Sequence, residues 1–268
     1  MDRRHFLALV SAGAATLLAG CATSESGAAD ALQATPAGQP PAPAPPSTPV
    51  LPPPPPASAK VALPGGPITA IPGVGRNLAL TLDDGSDPAV VEAYVRFAEE
   101  TGARFTFFVT GQYEAWTSVA PRLRPLVDSG QIQLGNHTWS HPALTSLTDS
   151  GIADELNRTK QLLLDQYGVD GTPYFRPPFG YRDARVDRVA ADQGYSVPTM
   201  WYGSLSDSGL ITEEYLVEMI HQYFNPQAIV IGHVNYPTAT HCFPQMVDTL
   251  IERDLSMVTL DDVFLRPA

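Results

Sequence analysis

The stretch Leu78-Ala79-Leu80-Thr81-Leu82 runs directly into Asp83-Asp84-Gly85. Five uncharged residues closed by a turn signal read as a buried strand that stops at the aspartates. Ala89 to Thr101 then carries helical spacing, with Val90, Val91, Tyr94, Phe97 and Ala98 recurring on one side. Strand, turn and helix in that order are one unit of a wound α/β fold.

The unit repeats along the chain. Strands are expected at Arg104 to Thr110, Ile132 to Gly135, Pro173 to Arg176, Ser196 to Trp201, Ala228 to Gly232 and Ser256 to Leu260. Helices are expected around Val119 to Ser129, Gly151 to Tyr167, Arg182 to Gln193, Thr212 to Tyr223 and Phe243 to Arg253. Such alternation predicts a parallel sheet covered by helices. No G-x-G-x-x-G follows the first strand, which disfavours a dinucleotide fold. The expectation is therefore α/β: a distorted (β/α) barrel of about seven strands forming a single catalytic domain, residues 73–268.

The residues before this domain have a different character. Arg3-Arg4-His5-Phe6-Leu7 opens an apolar run to Leu18 that is too short to span a bilayer and fits a signal-peptide core. The twin arginines resemble a twin-arginine export signal, although Asp2 stands where Ser or Thr is usual. Leu18-Ala19-Gly20-Cys21 resembles the lipobox of bacterial lipoproteins, which implies a signal at 1–20 and membrane attachment through a lipidated Cys21. Cys242 is the only other cysteine, so lipidation of Cys21 leaves no intramolecular disulfide. Fifteen of the 27 prolines fall between Pro36 and Pro72, which predicts a disordered Pro/Ala-rich tether over 21–72. At about 3.1 Å per residue it would reach on the order of 100 Å. An exported, lipid-anchored protein facing the cell wall or periplasm is the expected location. The net charge of −12 argues against nucleic acid as a partner, and no protein partner is implied.

Polar residues gather where the expected strands end: Asp83 and Asp84, then Asn136-His137 with His141 beyond, Arg176, Asp207 and His233. Each alone is weak. Asp-Asp-Gly is ordinarily a turn, and a histidine pair four apart in a loop is ordinarily chance. Together, several loops deliver Asp, His and Arg to one rim, where barrels keep their chemistry. Two imidazoles one helical turn apart and a third ligand would grip a cation and leave positions open, as in catalytic zinc sites. Such a cation lowers the pKa of a water from about 15.7 towards 7. A neighbouring carboxylate could take its proton, an arginine keep that carboxylate ionised, and an opposite histidine protonate a leaving group. That is hydrolase chemistry for an amide or ester.

Thr81-Leu82-Asp83-Asp84-Gly85, His137-Thr138-Trp139-Ser140-His141, Arg176-Pro177-Pro178-Phe179 and Ile231-Gly232-His233 resemble four of the five signatures of the polysaccharide deacetylases, carbohydrate esterase family four. The resemblance covers Asn77 to about Phe264 and implies metal-dependent removal of N-acetyl groups from a cell-wall or extracellular polysaccharide, peptidoglycan or chitin-like. Such an enzyme is a hydrolase of carbon–nitrogen bonds other than peptide bonds. The resemblance implies a divalent metal, zinc first and Co2+, Ni2+ or Mn2+ as alternatives, held by Asp84, His137 and His141. It implies Asp83 as general base, His233 as general acid, Arg176 as the support of Asp83, and the Phe179 backbone N–H as an oxyanion donor. The remaining signature departs: Asp207 matches its later aspartate, expected to pair with His233, while Ser204 and Ser208 replace an aspartate and a tryptophan. Trp139, Trp201 and Tyr236 are the candidates for a replacement groove wall, each equally readable as core. An O-acetyl esterase, or another amide hydrolase on the same fold, is the alternative. A non-catalytic glycan-binding lipoprotein is disfavoured, because base and ligands are all present.

Overall fold

The computed structural model describes residues 51–63 and 65–266. The expected signal, Cys21 and the tether as far as 50 lie outside them. Ten strands occur among the described residues: β1 (Val61–Ala62), β2 (Asn77–Asp84), β3 (Phe105–Val109), β4 (Ile132–Asn136), β5 (Tyr174–Phe175), β6 (Val197–Pro198), β7 (Gly203–Ser204), β8 (Ile229–His233), β9 (Ser256–Met257) and β10 (Phe264–Leu265). The α-helices are α1 (Pro88–Thr101), α2 (Ala115–Ser118), α3 (Ala120–Asp128), α4 (Asp149–Tyr167), α5 (Ala184–Asp192), α6 (Glu213–Tyr223), α7 (Thr238–His241), α8 (Phe243–Glu252) and α9 (Leu260–Val263). None of these helices is long and apolar enough to cross a membrane.

The main sheet is parallel throughout, in the order β6-β5-β4-β3-β2-β8-β7, with β9 added on β2. This curled sheet wrapped by helices is the distorted (β/α) barrel that the alternation predicts. Period two explains how β2 serves both of its faces. Leu78, Leu80 and Leu82 join Val90, Val91 and Tyr94 of α1 in the core between sheet and helices. Ala79 instead joins Phe108, Tyr174, Val197 and Ile229 in a separate inner cluster. Thr81 and Asp83 continue that inner row towards the strand's end.

Two expectations change. The tether was expected to run to 72, but from Leu51 onward the chain belongs to the domain. Leu51 is buried and its N–H donates to Thr101 O (2.8 Å). Val61 and Ala62 pair with Phe264 and Leu265. Ile68 bridges to Thr199 and Ala70 to Ala228, linking the β6 and β8 sides of the sheet. Proline-rich composition removes donors, but Leu51, Ile68 and Ile71 still bury their side chains. The second change concerns Ser196 to Trp201, expected as one strand. Only Val197–Pro198 of it forms a strand, β6; the unexpected β7 lies beyond Trp201 and at the opposite end of the sheet order, so that Ser204 and Asp207 arrive beside β8.

Candidate functional site

Register brings the polar residues level. Asp84 is paired with Val109, Val109 with Asn136, and Asn136 with Phe175, while Asp83 is opposite His233. His137 and Arg176 are therefore the next residues on that same edge. A cleft of about 570 Å³ opens there, lined by Asp83, Asp84, His137, His141 and His233 among others.

Asp84 Oδ1 lies 3.7 Å from His137 Nε2 and 3.5 Å from His141 Nε2. One ligand atom from each of these residues lies within 4.8 Å of the others. Ligands of a tetrahedral zinc, at about 2.0–2.2 Å from the ion, are themselves about 3.4 Å apart. His137 Nδ1 donates to Arg176 O (2.7 Å), which leaves the Nε2 lone pair to face Asp84. Burial and the neighbouring His137 charge push His141 below the ordinary imidazole value, against the pull of Asp84 and Asp83. For Asp84, burial alone would raise the carboxyl; His137, His141 and the Asn235 amide outweigh it and hold it low. A neutral imidazole beside an ionised carboxylate is the donor state a divalent cation needs, and the set fits one. The two histidines do not meet by helical spacing as expected. Their loop is irregular, with positive φ at Thr138 (72°) and His141 (62°). Glu155 of α4 holds it by accepting from Trp139 N (2.9 Å), Ser140 N (2.7 Å) and Ser140 Oγ (2.7 Å).

Arg176 is wholly buried beneath this cluster. Its Nη1 donates to Asp83 Oδ1 at 2.6 Å, Nε to Thr199 O at 2.9 Å and Nη2 to Thr81 Oγ1 at 2.8 Å. Burial lowers the guanidinium's pKa and Asp83 opposes that fall. The other Asp83 oxygen, Oδ2, is 3.5 Å from His137 Nε2 and so borders the candidate cation position. On the β8 side, His233 donates its backbone N–H to Asp207 Oδ2 (3.1 Å), and its Nδ1 lies 3.0 Å from Asp207 Oδ1. Burial would lower this imidazole, but the Asp207 hydrogen bond and the Asp83 and Asp84 charges raise it overall. With Nδ1–H spent on Asp207, Nε2 is the nitrogen left for the cleft.

Phe179 sits at φ 60°, its ring edge-on to His141 with centroids 4.6 Å apart. Its N–H donates to no group among the described residues. Every residue expected at the site is thus found on this rim. Ser204 and Ser208 line the cleft, and Trp201 does too, whereas Trp139 packs under Arg158 (4.4 Å) and Tyr236 is exposed outside the lining. Sequence reasoning missed Thr81, Tyr113, Glu155 and Asn235. Thr81 was accessible in principle, since period two puts it on the Asp83 face; the other three reach the site by tertiary contact.

Residues 71–198 match the family model described as polysaccharide deacetylase. Over that stretch the chain is similar to the polysaccharide deacetylases. Chitin deacetylase 1 of Cryptococcus neoformans is 40% identical over 123 residues, 46% of this chain and 25% of that protein. The peptidoglycan-N-acetylglucosamine deacetylase PgdA of Listeria monocytogenes is 26% identical over 197 residues, 70% of this chain and 39% of that protein. The match thus spans well under half the length of either deacetylase. A solved CE4 family pseudoenzyme from Bacillus anthracis shares the fold at a TM-score of 0.65 and 21% identity, over 75% of this chain and 69% of that one. A polysaccharide deacetylase fold is therefore compatible with either activity or its loss, and the decision rests on the side chains.

Proposed function

We propose that this domain removes N-acetyl groups from a cell-wall or extracellular polysaccharide, peptidoglycan or chitin-like, with the help of a divalent cation. The observation that carries the reading is the buried Arg176–Asp83 pair set against the Asp84, His137 and His141 cluster, with His233 held by Asp207 on the same cleft. Asp84, His137 and His141 would hold the cation, zinc by its fit to one carboxylate and two imidazoles. When bound, such an ion acidifies water and polarises the acetyl carbonyl.

The remaining work belongs to the chain. Asp83 accepts the proton of the attacking water, and Arg176 fixes its Oδ1 so that Oδ2 faces the reaction. The unspent Phe179 N–H donates to the acetyl carbonyl oxygen as negative charge develops on it, where a fixed donor is worth most. His233, its pKa raised, gives a proton to the departing amine, while Asp207 keeps the ring's tautomer and direction. The products are acetate and a glycan with free amino groups. Ser204 and Ser208 make this part of the cleft polar, which favours a hydroxylated sugar ring over an apolar acyl chain and keeps O-acetyl esters as the second reading. Export and anchoring at Cys21 are supported by the twin arginines and by Leu18-Ala19-Gly20-Cys21.

The test is acetate release from peptidoglycan, chitooligosaccharides and acetylated xylan, with and without chelator, beside Asp83→Asn. Turnover on the N-acetyl substrates that chelator and Asp83→Asn both abolish is expected. Chelator-insensitive turnover, or an active Asp83→Asn, would remove the mechanism; turnover on xylan alone would replace the substrate.

A further inference from the structure

Asn235 lies two residues past His233, outside every motif that the sequence presents. Its Nδ2 donates to Asp84 Oδ2 at 2.7 Å. Its Oδ1 accepts from Ser86 N at 3.1 Å and from Ser86 Oγ at 2.8 Å. A backbone N–H can only donate, so the Ser86 contact fixes which end of the amide is oxygen and leaves the NH2 for Asp84. The loop is held independently, since Val234 N donates to Asp83 O (3.0 Å). The amide is therefore anchored on both sides before any ligand arrives.

The consequence is at Asp84. Its two oxygens are not equivalent: Oδ2 is taken by Asn235, and Oδ1 is the one 3.5–3.7 Å from the two imidazole Nε2 atoms. Thr110 Oγ1, at 3.3 Å from Oδ1, is too long to hold the carboxylate against rotation. We propose that Asn235 is a positioning residue that presents Asp84 Oδ1 to the cation and thereby sets how tightly the site binds it. The inference rests on the cation reading above but not on the identity of the glycan. Hydrogen-bond partners that orient ligands typically change metal affinity 10- to 100-fold when removed.

The measurement is zinc titration of the metal-stripped full chain against a chromophoric competing chelator, for wild type, Asn235→Ala and Ser86→Ala, with melting of each metal-free protein in parallel. Asn235→Ala is expected to weaken zinc about 10- to 100-fold while moving the metal-free melting temperature by no more than about 4 °C. Ser86→Ala keeps the backbone donor and is expected to weaken zinc by only a few-fold, about threefold. An Asn235→Ala affinity within about threefold of wild type would overturn the proposal, as would a loss of affinity matched by a large loss of metal-free stability. A wild-type chain that binds no zinc would overturn both this inference and the cation reading. Tight zinc binding without acetate release would sink the deacetylase reading alone, and the Asn235→Ala titration would still decide this one.

Discussion

Replacing Arg176 with methionine isolates the charge at the base of the site, because methionine keeps a linear apolar stem of similar reach. The guanidinium carbon lies 4.4 Å from the Phe108 ring centroid, and that contact is lost with the charge. What disappears is the 2.6 Å bond to Asp83 and the donors to Thr199 O and Thr81 Oγ1. Asp83 is only 2% exposed and would be left as a buried carboxylate without its cationic partner. Breaking a buried pair from one side costs about 3–5 kcal/mol, most of it the stranded charge. At about 2–4 °C per kcal/mol for a domain of this size, the melting temperature should fall by roughly 6–20 °C. The double variant Asp83→Asn/Arg176→Met removes the stranded charge and should regain about 2 kcal/mol over additivity. Thermal melts of the four proteins in the cycle, all metal-free, provide the numbers. A single-variant loss below about 1 kcal/mol, or an additive cycle, would refute the claim that this pair is a buried unit.

Asp207→Asn should shift the alkaline limb of the pH–rate profile downward, because the partner that raises His233 becomes neutral and burial then acts against the imidazolium. For stability the sign is the same: a raised folded-state value adds stability below the ordinary imidazole value of about 6.5 and loses it as pH rises through the folded value. Wild type and Asp207→Asn should therefore differ more in urea midpoint at pH 5.5 than at pH 9, and a pH-independent gap would contradict the pairing. Zinc at about 100 times its dissociation constant should stabilise wild type by about 2.7 kcal/mol, and His137→Ala or His141→Ala should erase that gain in melts. Phe179→Gly keeps the N–H and suits φ 60°, so kcat should stay within about tenfold while KM rises; a hundredfold fall in kcat would remove the backbone donor from the mechanism.

Much of this was legible in the chain because the signals are short-range. The 78–82 run, the Asp83-Asp84-Gly85 stop and the helical spacing after it are local features, and β2 and α1 form where they say. The row Asp83, His137, Arg176, His233 was legible because parallel strands of matched register bring their ends to one edge. What stayed hidden depends on distant partners. Nothing in Pro67-Ile68-Thr69-Ala70-Ile71 signals that it bridges β6 and β8, since its partners are Thr199 and Ala228. Nothing near Asn235 signals a tie to Asp84, 151 residues away. The shortening of Ser196 to Trp201 to β6, and the presence of β7 beyond it, were hidden because two-residue strands are too short to express a period.

The deepest gap between sequence and site lies in backbone sign. Neighbouring residues on a strand point to opposite faces, so Asp83 and Asp84 should not serve one centre. They do: Asp83 Oδ2 is 3.5 Å and Asp84 Oδ1 3.7 Å from the same His137 Nε2. Asp84 breaks the alternation through φ 78°, and Gly85 follows at φ 105°, where a Cβ would meet the Trp116 ring at 2.5 Å. Of seven non-glycine residues with positive φ among those described, five are Asp84, Thr138, His141, Phe179 and Ser206, all on the loops that carry the rim. Left-handed backbone at such residues costs of order 1–3 kcal/mol each and persists only where surrounding contacts hold it. Here those contacts are visible: Trp116 Nε1 on Asp84 O (2.8 Å), Thr138 N on Asn136 Oδ1 (2.8 Å), His141 N on Thr138 Oγ1 (3.1 Å) and Ser206 N on Ser204 Oγ (2.9 Å). The strain is thus concentrated where side chains must leave their default directions, and side chains two or three positions away, with Trp116 of α2, hold it.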